Sequence, residues 1–202
     1  MDAKKLSLSY DVINIISYNA RSVNKKVAGI TEFLIAHRCD IYFICELWID
    51  DDFTSIVSEF KDYGYEVLQE GRKHKRGGGL LALYKDDLTV DKSDIKTKFK
   101  TFEVLEVTVK GASSILRIST IYRTGIMSIS DFQEFITELD DYLGILVQKS
   151  GSNIICGDLN IHIEQNGNSQ ASDFLSTKFL LFLPNGIIPY SHQIWYFRLS
   201  IC

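Results

Sequence analysis

Residues 153–162 read "NIICGDLNIH", a run in which a carboxylate and an amide directly follow apolar residues. The β-branched start predicts a buried strand. Asp158 and Asn160 are costly to bury without partners, so we expect them at the end of that strand. If the chain stays extended, Asp158, Asn160 and His162 share one face and the residues between them face the core. Alternatively, Asp158 and Asn160 merely form a turn.

Two other apolar runs end in the same way. Asn19 closes "NIISYN", and Glu46 closes "IYFICE" among large apolar neighbours without a nearby basic residue. If these two strands and the strand before Asp158 lie side by side in one direction, their carboxyl ends meet at one sheet edge. The resulting set of hard oxygen donors suits Mg²⁺, which takes one or two carboxylates plus water and substrate phosphate.

The composition limits the classes of protein to consider. With 202 residues, of which 46% are hydrophobic, the chain has the material for one globular domain. Twenty-six acidic against 22 basic side chains give a net charge of −4, so contacts with nucleic acid must be local rather than by bulk charge. Four cysteines without a CxxC pair favour a reducing intracellular compartment, with the nucleus as one option. No membrane span and no obligate protein partner are predicted.

Short apolar runs alternate with helical patterns along the chain. Val23, Val27, Ile30 and Leu34 have the spacing of one helix face. A β-rich middle region contains "YEVLQ", "GGGLLALYK", "EVTVK" and "SILRISTIY", which resemble antiparallel strands. A second helix is predicted to begin at a capping box formed by Ser130 and Gln133. This mixture predicts an α/β sandwich.

Further candidate binding residues lie in a basic stretch and at a strand end. "EGRKHKRGGGLLALYK" contains Lys75 and Arg76 within five consecutive basic or histidine positions. These side chains either bind phosphates of nucleic acid or form a solvated hairpin tip. Tyr122 and Arg123 end the run "ISTIYR", where a phenol and a guanidinium can donate to a phosphate; packing alone is the alternative for Tyr122.

Taken together and in order, "ISYNARS", "ICELWI", "GGGLLALYK", "IYRTG" and "GDLNIH" resemble the endonuclease/exonuclease/phosphatase family. The closest resemblance is to the endonuclease domain of non-LTR (LINE-type) retrotransposons. It implies an α+β fold, namely a four-layer α/β sandwich of two packed mixed β-sheets. It also implies a Mg²⁺-dependent hydrolase of phosphodiesters, with Mn²⁺ as an alternative metal and DNA as the partner.

The resemblance also implies a role for each site residue. Glu46 is expected to hold the metal, Asn19 to be its polar neighbour, and Asp158 to orient or deprotonate the attacking water. Asn160 is expected to hold the scissile phosphate and Tyr122 to donate to one of its oxygens. The predicted substrate-binding residues are Arg21, Arg123, Lys75 and Arg76.

The end of the chain departs from the family pattern. The family continues with T-H-x-x-G-x-T-L-D and then S-D-H, and neither follows Phe179; His192 is therefore given no catalytic role. We divide the chain into a lead-in (1–11), a family-like domain (12–179) and an atypical hydrophobic tail (180–202). The tail is either a buried hairpin or the product of a displaced reading frame. We expect a sandwich that is incomplete at its C-terminal end and a hydrolase that is impaired. The alternatives are an inactive nucleic-acid-binding remnant and a phosphatase of small phosphoesters.

Overall fold

The computed structural model describes most of the chain. Side chains are described except in residues 54–56 and 194–200, where only the backbone is. The described residues are 12–23, 25–37, 39–48, 54–70, 78–111, 114–125, 128–161 and 194–200.

Twelve helices and strands follow one another in these ranges. The strands are β1 (Val12–Asn19), β2 (Ile41–Cys45), β3 (Tyr65–Glu70), β4 (Leu80–Lys85), β5 (Val90–Lys92), β6 (Phe102–Lys110), β7 (Ile115–Arg123), β8 (Ser152–Asp158) and β9 (Ile194–Ser200). The helices are α1 (Val27–His37), α2 (Thr54–Asp62) and α3 (Ile129–Val147). None of the helices in the described ranges is both long enough and apolar enough to cross a membrane.

The strands form two mixed sheets. One has five strands in the order β3-β4-β2-β1-β9, and the other has four in the order β5-β6-β7-β8. β1 and β2 are parallel, as are β7 and β8, whereas the other pairs are antiparallel. The antiparallel pairing predicted for the middle of the chain is therefore correct.

Three apolar clusters hold four layers together. One cluster lies between the sheets and joins Ile15 and Phe43 to Val107 and Ile118. A second packs α1 and α2 on the five-stranded sheet, and a third packs α3 on the four-stranded sheet. The predicted α+β sandwich of two mixed sheets with helices outside is confirmed.

Two local predictions were wrong. β8 does not lie beside β1 and β2, because it pairs with β7 in the other sheet. The capping box of α3 uses Ser128 and Asp131, not Ser130 and Gln133: the Ser128 hydroxyl accepts from the backbone N–H of Asp131, and the Asp131 carboxylate accepts from that of Ser128. A short acidic side chain at the third helical position serves as well as the glutamine.

Residues 194–200, within the region predicted to be an atypical tail, form β9. This strand pairs antiparallel with β1 along the whole register from Val12↔Ser200 to Tyr18↔Ile194. The edge of β1 is thereby covered, as the sequence allowed if the tail replaced the missing family strands. The domain boundary placed at 179 remains a prediction.

Candidate active site

The carboxyl ends of strands from both sheets meet at one rim of the sandwich. Asn19 ends β1, Glu46 follows β2, and Asp158 ends β8. The Asn19 amide nitrogen Nδ2 donates to Glu46 Oε1 at 2.7 Å and to Asp158 Oδ2 at 2.7 Å. The two carboxylate oxygens therefore lie within twice that distance of each other, although they are separated by more than half of the chain.

The amide of Asn19 is held in one orientation. Its oxygen Oδ1 accepts a hydrogen bond from the backbone N–H of Arg21 at 3.0 Å, and the side chain is only 8% exposed. Rotating the amide by half a turn would place its oxygen against both carboxylates, which cannot donate when ionised. Asn19 thus fixes the relative positions of Glu46 and Asp158.

Backbone strain is concentrated at this rim. Arg21, Glu46 and Asn160 have φ values of 45°, 59° and 50°, in the left-handed region that residues other than glycine rarely adopt. Such strain costs about 1–3 kcal/mol per residue and is typical of functional sites. The loops after β1 and β2 hold their shape by pairing, since the N–H of Ser22 donates to the Glu46 carbonyl at 2.7 Å.

Gly157 allows β8 to reach the site. Its φ is +114°, and a Cβ atom at this position would collide with the backbone of Ile121, its carbonyl oxygen first. Only glycine fits so close an approach of two backbones. No role was predicted for Gly157 from the sequence, although a glycine next to an acidic strand end is a signal of close packing.

Asp158 and Asn160 form a tight turn, not an extended strand. Asp158 Oδ1 accepts from the backbone N–H of Asn160 at 2.9 Å, and Asn160 Nδ2 donates to the carbonyl of Arg123 at 2.5 Å. The turn-forming alternative is correct in its geometry, and Asp158 also accepts a hydrogen bond from Asn19. Leu159 is buried against α3, as predicted, whereas His162 lies outside the described residues.

The position of Arg123 contradicts its predicted role in binding substrate. Its side chain is 0% exposed, and it donates to the carbonyls of Leu159 at 2.5 Å and of Asn160 at 2.7 Å. The guanidinium carbon also lies 5.4 Å from the ring centre of Phe132 and 5.1 Å from that of Phe135. Burial lowers the pKa of Arg123 to about 10. Arg123 therefore joins the turn after β8 to α3 and does not reach solvent.

The other predicted substrate residues differ in position. Tyr122 is the ladder partner of Asp158 and belongs to the cluster between the sheets, with 7% exposure. Because paired residues of parallel strands face the same side, Tyr122 and Asp158 lie on the same face of the four-stranded sheet. Arg21 is exposed on the loop after Asn19. Lys75 and Arg76 lie outside the described residues.

A cleft opens on the same edge of the four-stranded sheet. Its volume is about 850 Å³, and it begins at Glu103, the ladder partner of Tyr122. Three lysines and four acidic residues line it; within the described part of the chain Lys98 has no ion pair, whereas Lys92 and Lys100 pair with glutamates. The cleft is large enough for an extended ligand, and Glu103 is the lining residue that neighbours Tyr122 in the sheet.

The family model described as the endonuclease/exonuclease/phosphatase family matches residues 16–195. The chain belongs to this family. The three strand-end motifs at Asn19, Glu46 and Asp158 all fall within the matched residues. A comparison with curated proteins gave no match.

Solved structures share the family fold at low identity. Human Nocturnin, whose catalytic domain was solved with a bound sulfate, is 15% identical with a TM-score of 0.63, covering 95% of this chain and 83% of that one. D. rerio TDP2, humanized by 14 mutations, is 16% identical with a TM-score of 0.57 and coverages of 81% and 67%. A variant of the 3′ phosphatase NExo from Neisseria, bound to a product DNA hairpin, is 17% identical with a TM-score of 0.56; the match covers 74% of this chain and 58% of that one.

The residues of the rim fit a divalent cation of the type this family uses. Among the described residues no group of three or more His, Cys, Asp or Glu side chains is placed to hold a metal. The rim instead supplies the carboxylates of Glu46 and Asp158. The Asn19 amide presents its N–H groups to them and its oxygen to Arg21, so it positions the two carboxylates rather than binding the metal. Mg²⁺ is bound in this way, through one or two carboxylates with the remaining positions left to water and phosphate. The donor set also excludes a closed zinc site, which takes four nitrogen or sulfur ligands.

A layer of thiol and hydroxyl groups that was not predicted from the sequence lies between the sheets. The thiol of Cys45 lies 3.7 Å from the Thr120 hydroxyl between the sheets, and the thiol of Cys156 also bonds to hydroxyl groups. Burial raises the pKa of Cys156 to about 12, so this thiol stays protonated. The described cysteines, Cys39, Cys45 and Cys156, are buried and free.

Proposed function

We propose that this chain is a hydrolase of nucleic-acid phosphodiesters that depends on a divalent metal and acts on DNA. The observation that carries the proposal is the pair of 2.7 Å hydrogen bonds from Asn19 Nδ2, which bring Glu46 and Asp158 together at one rim. Family membership supports a hydrolase of the nuclease or phosphodiesterase type.

The proposed chemistry assigns one task to each side chain. Glu46 would hold Mg²⁺ or Mn²⁺, and a divalent metal bound there would supply polarisation of the phosphoryl group and stabilisation of the leaving oxygen. Asp158 orients or deprotonates the attacking water, and its two oxygens are held in place by Asn19 Nδ2 and the backbone N–H of Asn160. Tyr122, beside Asp158, donates to a phosphate oxygen. Asn160 holds the phosphate once its amide leaves the Arg123 carbonyl.

DNA is the proposed substrate for three reasons. NExo was solved with a DNA hairpin and D. rerio TDP2 with a single-stranded DNA product, and both share this fold. The cleft beside Glu103 offers room for a chain longer than a small phosphoester. The order of the five motifs, from "ISYNARS" to "GDLNIH", also supports origin from a non-LTR retrotransposon endonuclease, which nicks DNA to prime reverse transcription.

We propose further that hydrolysis by residues 1–202 is slow. Residues 180–202 contain no acidic residue, so they supply neither aspartate of the two final family motifs. One lost donor to transition-state charge commonly reduces the rate by about 10²- to 10³-fold. The same observation favours a second candidate function, a nucleic-acid-binding domain that has lost hydrolysis.

Nicking of supercoiled plasmid tests the proposal. The wild-type chain should convert plasmid to the open-circular form with Mg²⁺ or Mn²⁺ and not with EDTA, and both Asp158→Ala and Glu46→Ala should abolish this. Glu59→Ala, on the outer helix α2, is the matched control and should nick as the wild type does. Equal nicking by all four proteins would remove the assignment. Absence of nicking together with salt-dependent DNA binding would favour the binding domain, and release of phosphate from a small phosphoester would favour the phosphatase.

A further inference from the structure

An exposed aromatic side chain follows the proposed metal ligand by two positions. Trp48 is 50% exposed, whereas Leu47 between it and Glu46 is only 5% exposed. Tryptophan buries a large apolar area when it is covered, so leaving half of it in water is unfavourable for the free protein. Half of the indole is therefore available to a ligand.

The backbone holds Trp48 in a fixed and strained position. Its φ is 52°, in the left-handed region, and its N–H donates to the carbonyl of Gly78 at 3.2 Å. Leu47 anchors the same loop because its side chain packs against Gly79. A Cβ atom added to Gly79 would lie 3.4 Å from the Leu47 side chain. Strain of this kind persists only where the surroundings impose it, and it is typical of sites that bind ligands.

A cationic side chain lies on the neighbouring loop. The N–H of Ser22 donates to the Glu46 carbonyl, which places the loop of the exposed Arg21 directly beside the loop of Trp48. The two paired loops at Glu46 thus carry an arginine, the residue before Ser22, and a tryptophan, two residues after Glu46. An arginine suits a phosphate, and an indole face suits a flat aromatic ring.

From this arrangement we infer that Trp48 stacks on an unpaired nucleobase of the strand whose phosphate lies at the Glu46 site. The inference rests on the proposed function and narrows its substrate to single-stranded or locally unpaired nucleic acid. A base inside a duplex is covered on both faces by its neighbours, so it reaches the indole only after it leaves the stack. Stacking is tolerant of sequence, since every base has a flat face.

Binding of two single strands in EDTA tests the inference without hydrolysis. One strand is a thymidine oligomer, and the other is an abasic oligomer of equal length and charge. The wild-type chain should bind the thymidine strand more tightly. Trp48→Ala should weaken that binding by roughly 5- to 150-fold and leave affinity for the abasic strand unchanged. Trp48→Phe should retain most of the difference between the strands.

The control is Tyr63→Ala, which removes an aromatic ring of 52% exposure at the opposite end of the five-stranded sheet and should change neither affinity. Three results would overturn the inference: equal binding of both strands by the wild type, an equal loss for both strands in Trp48→Ala, or no binding of either strand. If the chain nicks plasmid in a Glu46-dependent way but binds the thymidine and abasic strands equally, this inference alone is wrong. If the chain binds the thymidine strand more tightly but does not nick plasmid, the proposed hydrolysis alone is wrong.

Discussion

Replacing Arg123 with methionine separates a positioning role from a role in binding substrate. Its guanidinium donates at least two hydrogen bonds to buried carbonyls, those of Leu159 and Asn160, and packs against two phenylalanine rings. Each charge-assisted bond is worth about 1.5–3 kcal/mol, and its loss leaves a carbonyl without that donor. Methionine carries no charge, so the variant no longer has the cost of burying the guanidinium charge, and this offsets part of the lost stability. We expect unfolding free energy to fall by about 3–5 kcal/mol, because breaking a buried polar network on one side has this cost.

Urea unfolding monitored by circular dichroism measures this change, and the melting temperature should fall by about 10 °C. Arg123→Lys should recover only part of the loss, since one ammonium group cannot reproduce the planar fork of donors. Arg117→Met is the matched control: Arg117 also donates to a backbone carbonyl, that of Ser150, but at the other end of β7. The control should lower stability and leave metal binding by the folded protein unchanged. An Arg123→Met protein of unaltered stability that fails to bind phosphate would refute the reasoning.

Two further predictions concern stability. Gly157→Ala should lower the unfolding free energy by at least about 2 kcal/mol, because the added Cβ clashes with Ile121. Gly144→Ala is the control, since this helical position has nothing within 4 Å, and it should stabilise the protein by about 0.5–1 kcal/mol. Equal effects of the two variants in urea unfolding would contradict the geometry. Burial alone would raise the pKa of Glu106, but hydrogen bonds led by that from Lys149 lower it below its ordinary value of 4.5. The stabilisation from Glu106 is therefore present above pH 4.5 and declines as the pH falls through the lowered pKa. Glu106→Gln should cost about 3 kcal/mol at pH 7 and progressively less in acid; a cost independent of pH would contradict the linkage.

The sequence was informative where local pattern determines structure. Apolar runs ending in polar residues identified the strands that carry Asn19, Glu46 and Asp158, because burial in a sheet interior demands such runs. The apolar face of α3 was equally clear, from Phe132 to Leu146. Both observations depend only on neighbours along the chain.

The remaining features depend on contacts between distant residues. No local pattern shows that β8 belongs to the four-stranded sheet and β1 to the five-stranded sheet. The three strand ends meet whichever of the two sheets holds β8. Arg123 at a strand end looks available to a ligand, and only the two carbonyls and two rings around it show that it is buried. The exposure of Trp48 could not be predicted either, since a tryptophan next to an apolar strand is more often part of a core.

Binding of Mn²⁺ in the absence of nucleic acid tests the central claim most directly, which is that Glu46 and Asp158, held together by Asn19, form one divalent-metal site. Titration calorimetry or electron paramagnetic resonance should show one ion per wild-type chain. Glu46→Gln should weaken binding at least about tenfold, and the control Glu59→Gln should bind as the wild type does. Equal Mn²⁺ affinity in Glu46→Gln and the wild type would contradict the account.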